Sequence, residues 1–110
     1  MASNESLVQR VHQLVADWRG VEISRMFGGI FFLLHGNVFC GIRGDSLIVR
    51  LGGTSARLAL DLEYVRPCDI IGRPMTGWVM IPSLALHSDG TLSEWLSQAH
   101  DFAKTLPAKR

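Results

Sequence analysis

Two short turns, at Gly36-Asn37 and Gly44-Asp45, constrain this chain more than any other feature, because each splits a run of apolar residues. A two-residue connection with glycine at either position supplies the positive φ angles of a tight β-hairpin. The spacing predicts a three-stranded antiparallel meander over about Ile30–His35, Val38–Arg43 and Ser46–Leu51.

Such turns also fix which residues face each other. With Gly36-Asn37 as the first loop, Leu34 opposes Phe39, Leu33 opposes Cys40, and Phe31 opposes Ile42. With Gly44-Asp45 as the second, Ile42 opposes Leu47 and Cys40 opposes Val49. Opposed residues share a face. The expected core face is therefore Phe31, Leu33, His35, Val38, Cys40, Ile42, Leu47, Val49 and Leu51. The other face collects Ile30, Phe32, Leu34, Phe39 and Ile48, with Arg43 and Arg50 at its rim. An apolar patch of that kind, bordered by polar groups, marks a partner surface, and the expectation is a homodimer held through it.

The flanking segments read as helices and short strands. Leu7, Val8, Val11, Leu14, Val15 and Trp18 form one stripe of a 3.6-residue repeat, with Asn4 placed to cap it and Gly20 to stop it. Residues 21–27 lead into the meander and are a candidate fourth strand. Gly52-Gly53-Thr54-Ser55 opens a short helical pattern over Ala56–Leu62, capped by Thr54 or Ser55. Met75–Ile81 reads as a strand ended by Pro82, with Ile70-Ile71 as its partner across the Gly72-Arg73-Pro74 turn. The closing helix carries Leu92, Trp95, Leu96, Ala99, Phe102, Ala103 and Leu106 on one stripe, with Thr91 and Glu94 matching a capping box and Pro107 stopping it. Helix, three strands, helix, two strands, helix is an α+β order. It predicts a two-layer domain in which an antiparallel sheet, the meander plus a C-terminal hairpin, carries helices on one face.

Residues 1–110 are expected to form one domain with a core at about 4–107, since 110 residues bury a core of modest size. Eleven basic and ten acidic residues leave a formal charge of +1. A chain that grips phosphate backbones carries a basic excess or stripe, so strong autonomous nucleic-acid binding is not expected. No apolar run approaches the ~20 residues that cross a bilayer, and Met1–Ser6 lacks the features of a secretory signal. No membrane partner is expected. Cys40 and Cys68, without Cys-x-x-Cys spacing, read as free thiols of a reducing cytoplasm.

Arg25-Met26-Phe27-Gly28-Gly29 before the meander, Trp78-Val79-Met80-Ile81-Pro82 near the end, and Leu92-Ser93-Glu94-Trp95-Leu96 with Ala99, Phe102 and Ala103 behind it stand in that order. Together they resemble the N-terminal domain of the TfoX/Sxy family, over about residues 4–107. The resemblance implies a small cytoplasmic domain of the secretion-chaperone-like class, commonly paired as a dimer. The family's founding members regulate bacterial competence genes and carry a second, helical domain; this chain resembles the N-terminal domain standing alone.

Candidate chemistry is sparse. Arg25 beside Gly28 and Gly29 suggests an anion or acidic-partner site at Arg25, Met26, Phe27, Gly28 and Gly29, in which paired glycines bare backbone N–H groups. The competing reading is structural: a bulge or close approach, with Arg25 paired locally. Gly52-Gly53-Thr54-Ser55 lacks the Gly-Lys-Ser/Thr ending of a P-loop and reads as a strand-to-helix turn. His12, His35, His87 and His100 show no metal-ligand spacing. Cys40 falls mid-strand on the expected core face, whereas Cys68, beside Pro67, is expected to be exposed; neither comes with a base. Trp18 and Trp95 fall on helix stripes, and Trp78 shares a face with Met80 away from the core. No catalytic residue, cofactor or metal is expected. The reading is a non-catalytic homodimeric interaction or regulatory module. The alternatives are a nucleic-acid-associated competence or transcription regulator, drawing on Arg25, Arg43, Arg50, Arg66 and Arg73, or a small-ligand binder at the Arg25–Gly29 turn.

Overall fold

A computed structural model describes residues 4–69, 72 and 75–109. Its elements are α1 (Glu5–Val15), β1 (Val21–Met26), β2 (Gly29–Leu34), β3 (Asn37–Arg43), β4 (Ser46–Arg50), α2 (Gly53–Ala59), β5 (Arg66–Pro67), β6 (Trp78–Pro82), a 3-10 turn at Ser83–Ala85, and α3 (Asp89–Ala103). The strands form one antiparallel sheet in the order β1-β2-β3-β4-β6-β5. The fold is α+β, and the meander has four strands because 21–26 pairs along its whole length with β2. Strand β6 pairs with β4 on one side and with the two-residue β5 on the other; Ile70 and Ile71 lie outside the described residues.

Caps set where the helices begin. The Asn4 side-chain oxygen accepts from the Leu7 N–H at 3.0 Å, while its amide donates to Asp45 at 2.5 Å and its backbone N–H to the Gly44 carbonyl at 2.8 Å. One residue thus caps α1 and pins it to the β3–β4 turn. Thr91 does not cap α3. The helix starts three residues earlier because the Ser88 hydroxyl accepts from the N–H groups of both Gly90 and Thr91, and Asp89 complements the positive end of the dipole. Arg10 ties the two helices together, donating to the Leu86 carbonyl at 2.6 Å and to Asp89 at 3.1 Å. Helix α2 likewise starts early, at Gly53, with no side-chain cap.

The register differs from the expected one, and the correction reassigns a strand. The first turn is His35-Gly36, with φ of 51° and 85°, so Leu34 opposes Asn37 and Leu33 opposes Val38. Moving the loop by one residue shifts the pairing by two, which leaves every side chain on its original face. The face changes further along. A β-bulge places an extra residue, Phe39, in β3, and beyond it Phe32 opposes Cys40, Phe31 opposes Gly41, and Ile30 opposes Ile42. One inserted residue inverts β2 relative to β3 and β4 because side chains alternate with period two.

Consequently the helix-covered core contains Phe32, Leu34, Phe39, Cys40, Ile42, Leu47, Val49 and Leu51, sealed by Leu7, Val11 and Val15 of α1 and Leu92, Trp95, Leu96 and Ala99 of α3, with Ile30 packed at its margin. Leu47, Val49, Cys40 and Ile42 stand where the sequence puts them. Phe31, Leu33 and Val38 do not: Phe31 is buried on the opposite side, against which Val38 packs, and Leu33 is half-buried. The expected dimer face is therefore taken apart. Ile30, Phe32, Leu34 and Phe39 belong to the core, Ile48 is buried on the other side, and Arg50 is half-buried there with its guanidinium 5.3 Å from the Trp78 ring.

The second side of the sheet is dry without a helix over it. Phe31, Ile48 and Cys68 are buried there, with Met26, Met75, Trp78 and Met80 packed around them. The Phe31 ring lies flat over Gly41, where an added Cβ would come within 2.2 Å of it, and the exposed Phe27 ring meets it edge-on at 6.2 Å. An aromatic ring lying on a cross-strand glycine hides backbone as well as itself.

Candidate functional site

The five residues from Arg25 to Gly29 make a hairpin turn rather than a converging site. Met26 pairs with Gly29, leaving Phe27-Gly28 as the two-residue loop, with φ of 51° and 75°. Alternation sends Met26 to the sulfur-rich side of the sheet, whereas Arg25, opposite Ile30, is on the helix side. The Phe27 carbonyl accepts from Arg43 Nε at 2.9 Å, and Gly29 lies so close to the Ile42 carbonyl that a Cβ would stand 2.5 Å away. The glycines here serve the turn and the ladder.

Two other places are more distinctive. The first is the edge of the sheet. Strand β1 pairs on one side alone, its four central residues are exposed, Ile23 among them at 49%, and Phe27 just beyond its end is 57% exposed. The opposite edge, β5, has two residues, one of them Pro67, which has no N–H to offer. The second is a cavity of about 240 Å³ where α1, the β2–β3 turn and the end of α3 meet, lined by Trp18, Arg19, Leu34, His35, His100 and Lys104.

The matching family model is that of the TfoX N-terminal domain, over residues 13–103, most of this chain. The chain belongs to that family. Neither a curated protein nor a solved structure matches it. In this TfoX N-terminal domain the matched stretch runs from within α1 to the last residue of α3, so it contains the whole sheet, the β1 edge and most of the cavity wall.

The remaining candidates of the TfoX N-terminal domain sit as follows. Among the described residues, no three His, Cys, Asp or Glu side chains gather where they would hold a metal ion, and no helix is long and apolar enough to cross a membrane. Cys40 is a free thiol in the main core, and its burial pushes the thiol pKa well up, holding it protonated. Cys68 is not exposed. It is buried on the other side of the sheet, 3.8 Å from the Met75 sulfur. Trp78 does share its side with Met80, and Trp95 is core. Arg50 lies between the rings of Trp78 and Phe102, 5.6 Å from the latter, which occupies its guanidinium faces. The cavity went unread in the sequence because its lining comes from three segments far apart along the chain, around Trp18, His35 and His100.

Proposed function

We propose that this TfoX N-terminal domain is a non-catalytic, cytoplasmic, homodimeric interaction module that regulates through protein contacts, and that its copies pair edge to edge through β1. The observation that carries this reading is the unprotected edge itself. Exposed edges template the addition of another strand, and proteins blunt them with proline, bulges, shortness or inward charge. Strand β1 is six residues long, pairs with β2 in unbroken register, and contains neither proline nor bulge; its helix-side charge, Arg25, stands exposed near the strand's end rather than buried under the helices. A twofold axis perpendicular to the sheet keeps like faces together. Centred on Ile23, it sets that exposed side chain against the partner's Ile23 and lays Val21 beside the partner's Arg25, whose stem supplies apolar cover. An edge of this length falls below the roughly 1,200–2,000 Å² of a standard interface, so the dimer is expected to dissociate on dilution.

Light scattering across a dilution series tests the pairing. The wild type is expected at twice the chain mass when concentrated, and Ile23→Lys as a folded monomer. A wild type that is monomeric throughout, or an Ile23→Lys protein that dimerises equally well, would defeat the reading. It also expects no sequence-specific DNA binding, given the formal charge of +1 and the engaged guanidinium of Arg50. Tight, sequence-dependent binding at physiological salt would favour the nucleic-acid alternative.

A further inference from the structure

We propose that the cavity between Trp18 and Lys104 is a binding site for a small organic anion with a flat apolar body, of the aromatic carboxylate class. Its walls divide by chemistry. Leu34 is buried at the core and Trp18 is half-buried, with its ring stacked 6.1 Å from Phe39 and 4.4 Å from the His100 imidazole. These surfaces offer an apolar slot. Around it stand Arg19, His35, His100 and Lys104, and every ionisable group of the lining is a base. Asp101, outside the lining, is already bridged to Lys104 at 3.2 Å. A carboxylate finds a guanidinium fork, an ammonium and two imidazoles.

The rim is built before any ligand arrives. The His35 N–H donates to the Gly20 carbonyl at 3.0 Å, the Lys109 N–H donates to the His35 carbonyl at 2.7 Å, and the Asn37 amide donates to the Pro107 carbonyl at 2.8 Å. Those bonds join the loop after α1, the β2–β3 turn and the segment after α3. His35 itself is held at φ 51° in the turn. Such preorganisation removes part of the ordering cost of binding. The size is also informative, for about 240 Å³ lies below the roughly 300–1,000 Å³ of drug-sized pockets and suits one or two rings.

A bland role competes. Bases at the C-terminal ends of α1 and α3 complement the negative ends of the helix dipoles. That role needs no apolar slot and predicts no ring requirement. His100 also bears on the choice: burial first, then the charges of Lys104 and His35, against the opposing Asp101, lower its pKa below 6.5. An anion seated among these groups relieves that repulsion.

The experiment is a titration of the full chain with sodium benzoate at constant ionic strength, read from the three tryptophan indole N–H resonances, with Trp18 assigned by Trp18→Phe. Benzamide tests the charge, and acetate tests the ring. Saturable movement confined to the Trp18 resonance, with binding at least about tenfold weaker for benzamide and for acetate, is expected. Arg19→Ala combined with Lys104→Ala, both on the exposed surface, is expected to weaken benzoate about tenfold or more with melting temperature held. Linear, unsaturated shifts up to about 10 mM benzoate, equal binding of benzamide, or indifference to the double variant would each overturn the site.

Discussion

On one side of the sheet, Phe32, Leu34, Ile42, Leu47 and Val49 are sealed under α1 and α3, whereas on the other Phe31, Ile48 and Cys68 are buried and, among the described residues, the hydrophobics packed against them come from strands and loops. The first side uses branched and aromatic residues against helix stripes, an arrangement that close-packs to crystal-like density. The second uses Phe31 lying on Gly41, two methionines from β1 and β6, and Met75 and Cys68 from the connection between β5 and β6. Methionine adapts its shape to irregular gaps. A strand face rich in large apolar residues therefore does not require a partner chain: short-range cover by flexible side chains dries it equally well. On β1, by contrast, Ile23 is left exposed beside an unpaired edge.

The helix-covered side should be the less forgiving, and the largest test lies there. Val49→Asp places a carboxylate between β4 and the helices, at a cost comparable to the roughly 5–15 kcal/mol that holds a domain together. Loss of the cooperative melt by circular dichroism is expected. A melt near that of the wild type would mean that Val49 is not sealed under the helices.

Removing one phenylalanine from each side sharpens the comparison. Phe32→Ala and Phe31→Ala each delete a fully buried ring, and such deletions cost about 3–5 kcal/mol. Phe32→Ala is expected at the upper end, because helices hold the cavity open. Phe31→Ala is expected at the lower end, because Met26 and Met80 can settle into the space. Denaturant titration that gives the reverse order would show the sulfur-rich side to be the rigid one. Gly41→Ala comes next. Its Cβ meets the Phe31 ring, and overpacking of this kind costs about 1–3 kcal/mol. In a Phe31→Ala background most of that cost should vanish, a coupling that a double-mutant cycle reads directly.

The smallest effect is a pH dependence at the corner between Trp18 and α3. His100 has its folded pKa lowered below the ordinary 6.5, chiefly by burial and then by Lys104 and His35, against Asp101. The unfolded chain therefore takes up the proton first as pH falls. The stability contributed by neutral His100 is present above about pH 6.5 and is lost as pH descends through its lower folded pKa. His100→Gln is expected to flatten the melting temperature between pH 7 and the acid side of that window, modestly, since the ring is partly solvated.

Local chemistry carried much of this molecule. Alternating apolar residues around glycine turns specified antiparallel strands, the i, i+3, i+4 stripes specified both long helices, and Asn4 specified where α1 starts, because each depends on neighbours a few residues away. The α+β order and the family resemblance followed from the same segments. What the tertiary structure decided was parity and assembly. Whether β3 bulges at Phe39 depends on what α1, α3 and Trp18 offer that extra ring, and no local preference marks it; yet that one residue moved Phe32 and Leu34 into the core and Phe31 out of it. The start of α3 turned on whether Ser88 or Thr91 reached the free N–H groups, two chemically similar options; Ser88 does so, beside the contacts of Arg10 with Asp89 and Leu86. The Trp18–His100 cavity is a product of distance along the chain, its parts separated by some eighty residues, and that β1 ends the sheet is decided by where the other strands pair; pairwise periodicity has no reach over either.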